Sequence, residues 1–249
     1  MMTNHQRKPL SLCQLTPHVT WETNKKDLCP TSPLQHQFHP SKHASVSIAP
    51  STITSNKMAE NKTKYPIEPG QPSPLPNFTR YITTHNPSGE ATIHSESPAS
   101  WVSLREKTIG FSVAYTTSEF PANLNSDADL VKNQQVMDSG SLGLVSPGGT
   151  VCRVVDFAPA SPGVMHRTQS LDYGIVLEGE IEMFLDSGDR RLLKKGDIAV
   201  QRATMHEWRN PSKTEWTRMV FFLQECQPVV VGDKQLKEDL NGNDDLNAK

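Results

Sequence analysis

The sequence lacks the patterns that identify several common classes of protein. None of its 249 residues lies in an apolar run approaching the roughly 20 residues of a membrane-spanning helix. We expect no secretory signal, because the first residues form no apolar segment of that type. A phosphate loop, a dinucleotide fingerprint and a nucleophile elbow are also missing. The sequence therefore favours neither a membrane protein nor an enzyme that uses NAD, ATP or a catalytic serine.

The chain also lacks a large net charge and closely spaced pairs of cysteines. The 25 Lys and Arg against 27 Asp and Glu give a net charge of −2, so no basic field attracts nucleic acid or a membrane surface. The four cysteines (Cys13, Cys29, Cys152 and Cys226) form no C-x-x-C pair. We predict reduced thiols, a cytoplasmic location, and no nucleic-acid or membrane partner.

The composition divides the chain into four segments. Residues 1–57 are rich in Ser, Thr, Pro, His, Asn and Gln without a sustained apolar period, which predicts a disordered tail. Because Met58 offers a second start, this tail is alternatively a gene-model extension. Residues 58–77 form a proline-rich extended arm, 78–226 the folded domain, and 227–249 a polar C-terminal tail.

The folded domain is predicted to be all-β. Short apolar and β-branched segments alternate with turn residues, as in a β-sandwich or barrel. Gly179, Gly188 and Gly196 mark turns. Short helices are predicted at 126–138 and 234–240. The predicted strands are 111–116, 150–157, 173–177, 180–185, 190–193, 198–201 and 216–223.

Two histidines and an aspartate stand out within this run of strands. The segment around His166 resembles the first cupin motif, G-x5-H-x-H-x3-4-E-x6-G. His166 takes the place of the first histidine, Thr168 of the second, Asp172 of the glutamate and Gly179 of the final glycine. The resemblance implies a cupin double-stranded β-helix, which is a jelly-roll barrel.

The second cupin motif, G-x5-P-x-G-x2-H-x3-N, has a counterpart further along the chain. Gly196 opens it, His206 matches its histidine and Asn210 its asparagine. The spacing is one residue short, Gln201 replaces the proline and Ala203 replaces the second glycine.

Longer stretches resemble a narrower group. They are similar to the fungal cupin-domain-containing oxidoreductases of polyketide gene clusters, of the trichoxide and sordarial type. The stretches are RYITTH (80–85), FSVAYTTSEFP (111–121), GGTVCRVVDF (148–157), MHRTQSLDYG (165–174) and GDIAVQRATMHEWRNPS (196–212). The resemblance implies an oxidoreductase of secondary metabolism that acts on a small oxygenated or aromatic substrate, and it implies a homodimer.

Cupins commonly bind a metal through three histidines and a glutamate, whereas this chain retains His166, Asp172 and His206. These three are the predicted metal ligands and catalytic residues, because two imidazoles and a carboxylate form a facial triad with open positions. Iron is the expected ion, with manganese, nickel or zinc as alternatives. A site without metal is equally conceivable, because Thr168 is a poor ligand. Thr168, Gln201 and Trp208 are predicted to belong to the substrate pocket.

Two other functions remain open at this point. A metal-free or Lewis-acid lyase or isomerase, such as a dehydratase or decarboxylase, would move protons with Asp172 and a histidine. A non-enzymatic cupin would only bind a small molecule. Alternatively, each histidine is a core or surface residue without a chemical role, and Asp172 caps a turn.

Overall fold

The computed structural model describes residues 69–247. The predicted tail at 1–57, the boundary at Met58 and the first part of the arm lie outside the described residues. Within the described part, the elements are the strands β1 Thr79–His85, β2 Ala91–Pro98, β3 Val102–Leu104, β4 Ile109–Thr116, β5 Thr150–Phe157, β6 Ser170–Glu178, β7 Glu180–Leu185, β8 Arg190–Lys194, β9 Ile198–Arg202, β10 His206–Arg209, β11 Thr217–Glu225, β12 Val229–Val231 and β13 Lys234–Leu236, and the helix α1 Ala128–Ser139.

The strands form two main antiparallel sheets. The larger has the order β3-β4-β5-β11-β6-β9, and the smaller has the order β10-β7-β8. The pairs β1-β2 and β12-β13 are separate hairpins. Each of the seven predicted strands coincides with an observed one, and the predicted helix at 126–138 is α1. The all-β prediction is confirmed.

Alternation along the strands places the core between the two main sheets. In β5, Val151, Val155 and Phe157 share one face and are buried. They pack in one cluster with Ile181 of the smaller sheet. At the turn before β7, Gly179 has a φ of +74°, and a Cβ there would meet the Trp216 carbonyl at 2.9 Å. The predicted glycine turn at this position is therefore confirmed.

The described part of the arm packs against its own domain. Ser73 donates a hydrogen bond to Asp156, a fully buried residue of β5. Arg218 of β11 donates to the same carboxylate from Nε (2.6 Å) and Nη2 (2.8 Å). The Nη1 atom of Arg218 also donates to the Pro76 carbonyl at 2.5 Å. The arm is therefore held by a buried ion pair on the larger sheet.

The helix predicted at 234–240 is wrong. Its first residues form β13, which pairs with β12 across a turn at Gly232 and Asp233. Gly232 has a φ of +58°, and three consecutive valines precede it. Both features favour a hairpin over a helix, because β-branched residues prefer strands and glycine adopts positive φ without strain.

The segment predicted as a polar C-terminal tail contributes to the core. Leu240 and Leu246 are buried in the same cluster as the inner face of β5. Asn247 Oδ1 accepts a hydrogen bond from the Leu144 amide at 3.0 Å. The described end of the chain is thus part of the domain.

Between residues 69 and 247, no helix combines the length and the apolar character that a membrane crossing requires.

Candidate active site

One cavity in the core brings the predicted catalytic residues together. His166, Asp172 and His206 all line it, and most of its other walls are aliphatic or aromatic. The space open to the centre of a water molecule is about 70 Å³, whereas a single water needs roughly 10–15 Å³. The cavity therefore has room for a small molecule.

The two histidines are fixed by the backbone. The amide of His166 donates to the carbonyl of His206 and the reverse bond also forms, both at 2.9 Å. Their ring centroids lie 4.5 Å apart. The Nδ1 of His166 is 2.8 Å from the Val164 carbonyl, and that of His206 is 2.9 Å from the Thr204 carbonyl. Because a carbonyl accepts, each Nδ1 carries the proton and each Nε2 keeps its lone pair.

Both imidazoles are neutral at pH 7. Burial lowers the pKa of His206 to about 3, and His166 adds to the effect. Burial also lowers the pKa of His166, with a smaller contribution from Arg105. A neutral imidazole with a free Nε2 is able to bind a metal ion, whereas the low pKa of His206 makes its ring a weak proton acceptor at pH 7.

Asp172 presents one unpaired oxygen. It is 4% exposed, and its Oδ1 has no hydrogen-bond partner. Its Oδ2 accepts from Thr168 Oγ1 at 3.3 Å, and Ser170 Oγ in turn donates to Thr168 at 2.7 Å. Burial raises the pKa of Asp172 to about 6, and the neighbouring Ser170 and Thr168 hydroxyls lower it by a smaller amount. The carboxyl group is thus poised to exchange a proton near neutral pH.

The donor chemistry fits a divalent ion only in part. The two free Nε2 atoms suit iron, nickel or zinc, and the carbonyl-bound Nδ1 atoms hold the rings in place. However, no group of three His, Cys, Asp or Glu side chains within 69–247 is arranged to hold a metal ion. The predicted triad therefore shares a cavity without the geometry of a three-ligand site.

Of the three predicted pocket residues, only Trp208 lines the cavity. Its ring packs edge-on against His206, with centroids 5.8 Å apart. Thr168 is absent from the cavity lining and instead donates its hydroxyl to Asp172. The amide of Gln201 contacts Met183 and accepts from Thr204, so it is satisfied elsewhere.

Sequence reasoning missed Arg153, which lines the cavity from β5. The signal was present in the strand pattern. Arg153 falls in the same phase as Val151, Val155 and Phe157, so its side chain follows the inner face of the sheet. Charged residues are rarely fully buried unless they are paired, so an inward-facing arginine in a strand indicates a specific structural or functional role.

Comparisons with known proteins identify relatives from fungal biosynthesis clusters. The chain is 43% identical over 161 residues to phomopsin biosynthesis cluster protein D of Diaporthe leptostromiformis, covering 63% of this chain and 83% of that protein. It is 40% identical to oryzines biosynthesis cluster protein J of Aspergillus oryzae, over 67% of this chain and 93% of the relative. The cupin-domain-containing oxidoreductase virC of Hypocrea virens is 37% identical, over 67% and 86%.

The solved structures that are similar to this chain include KdgF from Halomonas sp. It has a TM-score of 0.34 and 17% identity, over 50% of this chain and 84% of that one. A cupin-2 domain from Rhodospirillum rubrum has a TM-score of 0.36 and 12% identity, over 59% and 78%. No protein-family model matches the sequence. The curated relatives, which match most of their own length, carry the assignment: the chain belongs to the cupin-domain-containing oxidoreductases of fungal biosynthesis clusters.

Proposed function

We propose that this protein oxidises or reduces a small, largely apolar intermediate of polyketide-type secondary metabolism in the cavity of His166, Asp172 and His206. The observation that carries the proposal is their convergence in one buried cavity, in a chain whose relatives are named oxidoreductases. The walls match an oxygenated or aromatic substrate, because apolar side chains dominate and a few polar groups fix its orientation.

His166 and His206 are the proposed metal ligands, each through Nε2. A divalent ion bound there, iron first and manganese, nickel or zinc as alternatives, supplies a Lewis acid or a redox centre. The backbone carbonyls behind each ring hold the imidazoles in the tautomer that this role requires.

Asp172 is the proposed proton-transfer group. Thr168 holds its Oδ2, so Oδ1 is the atom left to accept a proton from a substrate hydroxyl. With a pKa of about 6 the carboxylate is largely ionised at pH 7 and returns the proton readily. Trp208 and Phe221 help to exclude water from this exchange.

A second candidate is a metal-free or Lewis-acid lyase or isomerase. The observation that favours it is the buried Asp172, whose Oδ1 is unpaired in a cavity that both histidines also line, since proton transfer needs no oxidant. Dehydration or decarboxylation would then proceed by proton transfer alone.

Mass spectrometry of metabolites distinguishes the two candidates. A fungal strain that carries an inactive allele of the gene should accumulate the substrate of this enzyme. An oxidoreductase predicts that substrate and product differ by two hydrogen atoms or by an oxygen atom. A difference of one water, one carbon dioxide or no mass at all would overturn the redox assignment in favour of the lyase or isomerase.

A homodimer in the cytoplasm is also proposed. On β9, the edge strand of the larger sheet, Ile198 and Val200 are 63% and 54% exposed. Val200 pairs with Tyr173 and Tyr173 with Phe222, both 40% exposed, so the apolar side chains are contiguous across three strands. Such a patch on one face supports contact with a second copy.

A further inference from the structure

Arg153 places an unpaired positive charge in the wall of the active-site cavity. Its side chain is 3% exposed, and the residue lies on the inner face of β5. Nη2 donates to the Gly143 carbonyl at 2.8 Å. Nε and Nη1 are buried and have no hydrogen-bond partner. Two donors of a cation are therefore left without a partner in the wall of a pocket whose other walls are mostly apolar.

No acidic group within 69–247 forms an ion pair with Arg153. Its guanidinium packs over the Phe111 ring, 4.8 Å from the centroid. Burial lowers the pKa of Arg153 to about 10, and no neighbouring charge contributes to the shift. The group nevertheless stays protonated at pH 7, so the cavity wall holds a guanidinium cation that the carboxylate of Asp172 does not pair with.

Arg218 shows what a structural arginine looks like in the same protein. It is also buried, with 6% of its surface exposed, yet Asp156 accepts from two of its nitrogens and the Pro76 carbonyl from the third. A buried charge without such partners is destabilising, because its hydration is lost and nothing replaces it. The unpaired state of Arg153 therefore calls for a partner that arrives with the substrate.

We propose that Arg153 binds a carboxylate group of the substrate. A carboxylate complements the guanidinium in charge and planarity, and it accepts the donors left free in the cavity. The apolar walls, including Phe111, Phe157 and Trp208, then cover the remainder of the molecule. This assignment rests on the proposed function, since it names the substrate class of that cavity.

Binding of simple carboxylates to the full chain tests the assignment. Acetate is small enough for the cavity and benzoate also reaches its apolar walls, while acetamide and benzamide are neutral molecules of matching shape. Calorimetry and thermal shifts are measured for the wild type, R153M, R153K and R202M, with and without EDTA. Arg202 is an exposed arginine outside the cavity and serves as the matched control.

We expect the wild type and R202M to bind a carboxylate more tightly than its amide, with or without EDTA. R153M should bind it roughly 10- to 100-fold more weakly, the range for a hydrogen bond to a charged group. R153K should fall between, since it keeps the charge and loses the planar fork. Without ligand, R153M should melt at or above the wild-type temperature, because an unpaired buried charge has been removed.

Four results of the binding measurements would overturn the proposal. They are wild-type protein that binds neither carboxylate, equal binding of acid and amide, unchanged binding by R153M, and binding that EDTA abolishes. R153M that melts lower or fails to fold without ligand would identify Arg153 as a structural residue, which also overturns it. None of these readouts depends on turnover, so the oxidoreductase assignment would stand or fall separately.

Discussion

His166 and His206 face each other as a backbone-bridged pair, with ring centroids 4.5 Å apart and each Nδ1 tied to the carbonyl two residues earlier. The two rings belong to different cupin motifs, so the fold itself brings them together. This pair, rather than a complete triad, is the best-defined chemical feature of the cavity. The first prediction follows from that distinction.

Metal content should depend on the histidines and not on Asp172. We expect purified protein to hold about one divalent ion per chain, and H166A and H206A to lose it. D172N should retain the ion, because no three-ligand arrangement includes that carboxylate among the described residues. Elemental analysis of each variant, with the exposed-residue variant H94A as control, checks this. Loss of the ion from D172N as well would restore the three-ligand site.

The free energy of unfolding of the metal-free protein should depend on pH through the ionisation of Asp172. Its pKa is raised from 3.8 to about 6 in the folded state, so ionisation opposes folding. The stability it contributes is present below about pH 4 and is lost as the pH rises through 6. Relative to wild type, D172N should therefore gain up to about 3 kcal/mol across that window. Denaturation at pH 4, 5, 6 and 7 measures the difference, and a constant offset would contradict it.

Removing the carboxylate of Asp156 should destabilise the fold strongly. Asp156 is fully buried and is the acceptor for both Arg218 and Ser73. D156N leaves Arg218 buried without its counter-charge, which costs about 3–5 kcal/mol. Urea unfolding should show this loss, while D186N at an exposed turn should change stability by less than about 0.5 kcal/mol. Equal stabilities would show that the pair contributes nothing.

The exposed apolar patch formed by Ile198, Val200, Tyr173 and Phe222 should control self-association. We expect I198K to convert the proposed dimer into a monomer, because Ile198 is 63% exposed on the same edge strand as Val200. L192K is the matched control, since Leu192 is 46% exposed but lies on the smaller sheet. Sedimentation velocity distinguishes the forms. A monomeric wild type, or an I198K dimer, would show that this edge is not the interface.

Local patterns predicted the strands well and the distant contacts poorly. The alternation in 150–157 and the turn at Gly179 are local signals, and both hold in the structure. The hairpin of β12 and β13 was mistaken for a helix because its valines and its Gly232 turn were given too little weight. The burial of Leu246 depends on packing against distant strands, which no local period records.

In the candidate site, too, the sequence predicted some features and not others. Motif spacing predicted that His166, Asp172 and His206 would share a cavity, and they do. It could not predict that Thr168 donates a hydrogen bond to Asp172, or that Gln201 accepts one from Thr204, because those contacts depend on side-chain orientation. Arg153 was overlooked although its inward phase in β5 was visible in the sequence.

The most direct test of the account compares the metabolites of fungal strains that carry the wild-type gene, H206A or H94A. His206 lines the cavity, whereas His94 is an exposed residue of β2. The account predicts that H206A folds normally by circular dichroism and accumulates a precursor that differs from the wild-type product in oxidation level, while H94A matches the wild type. Normal product from a strain whose H206A protein is folded and present at the wild-type level would contradict the central claim.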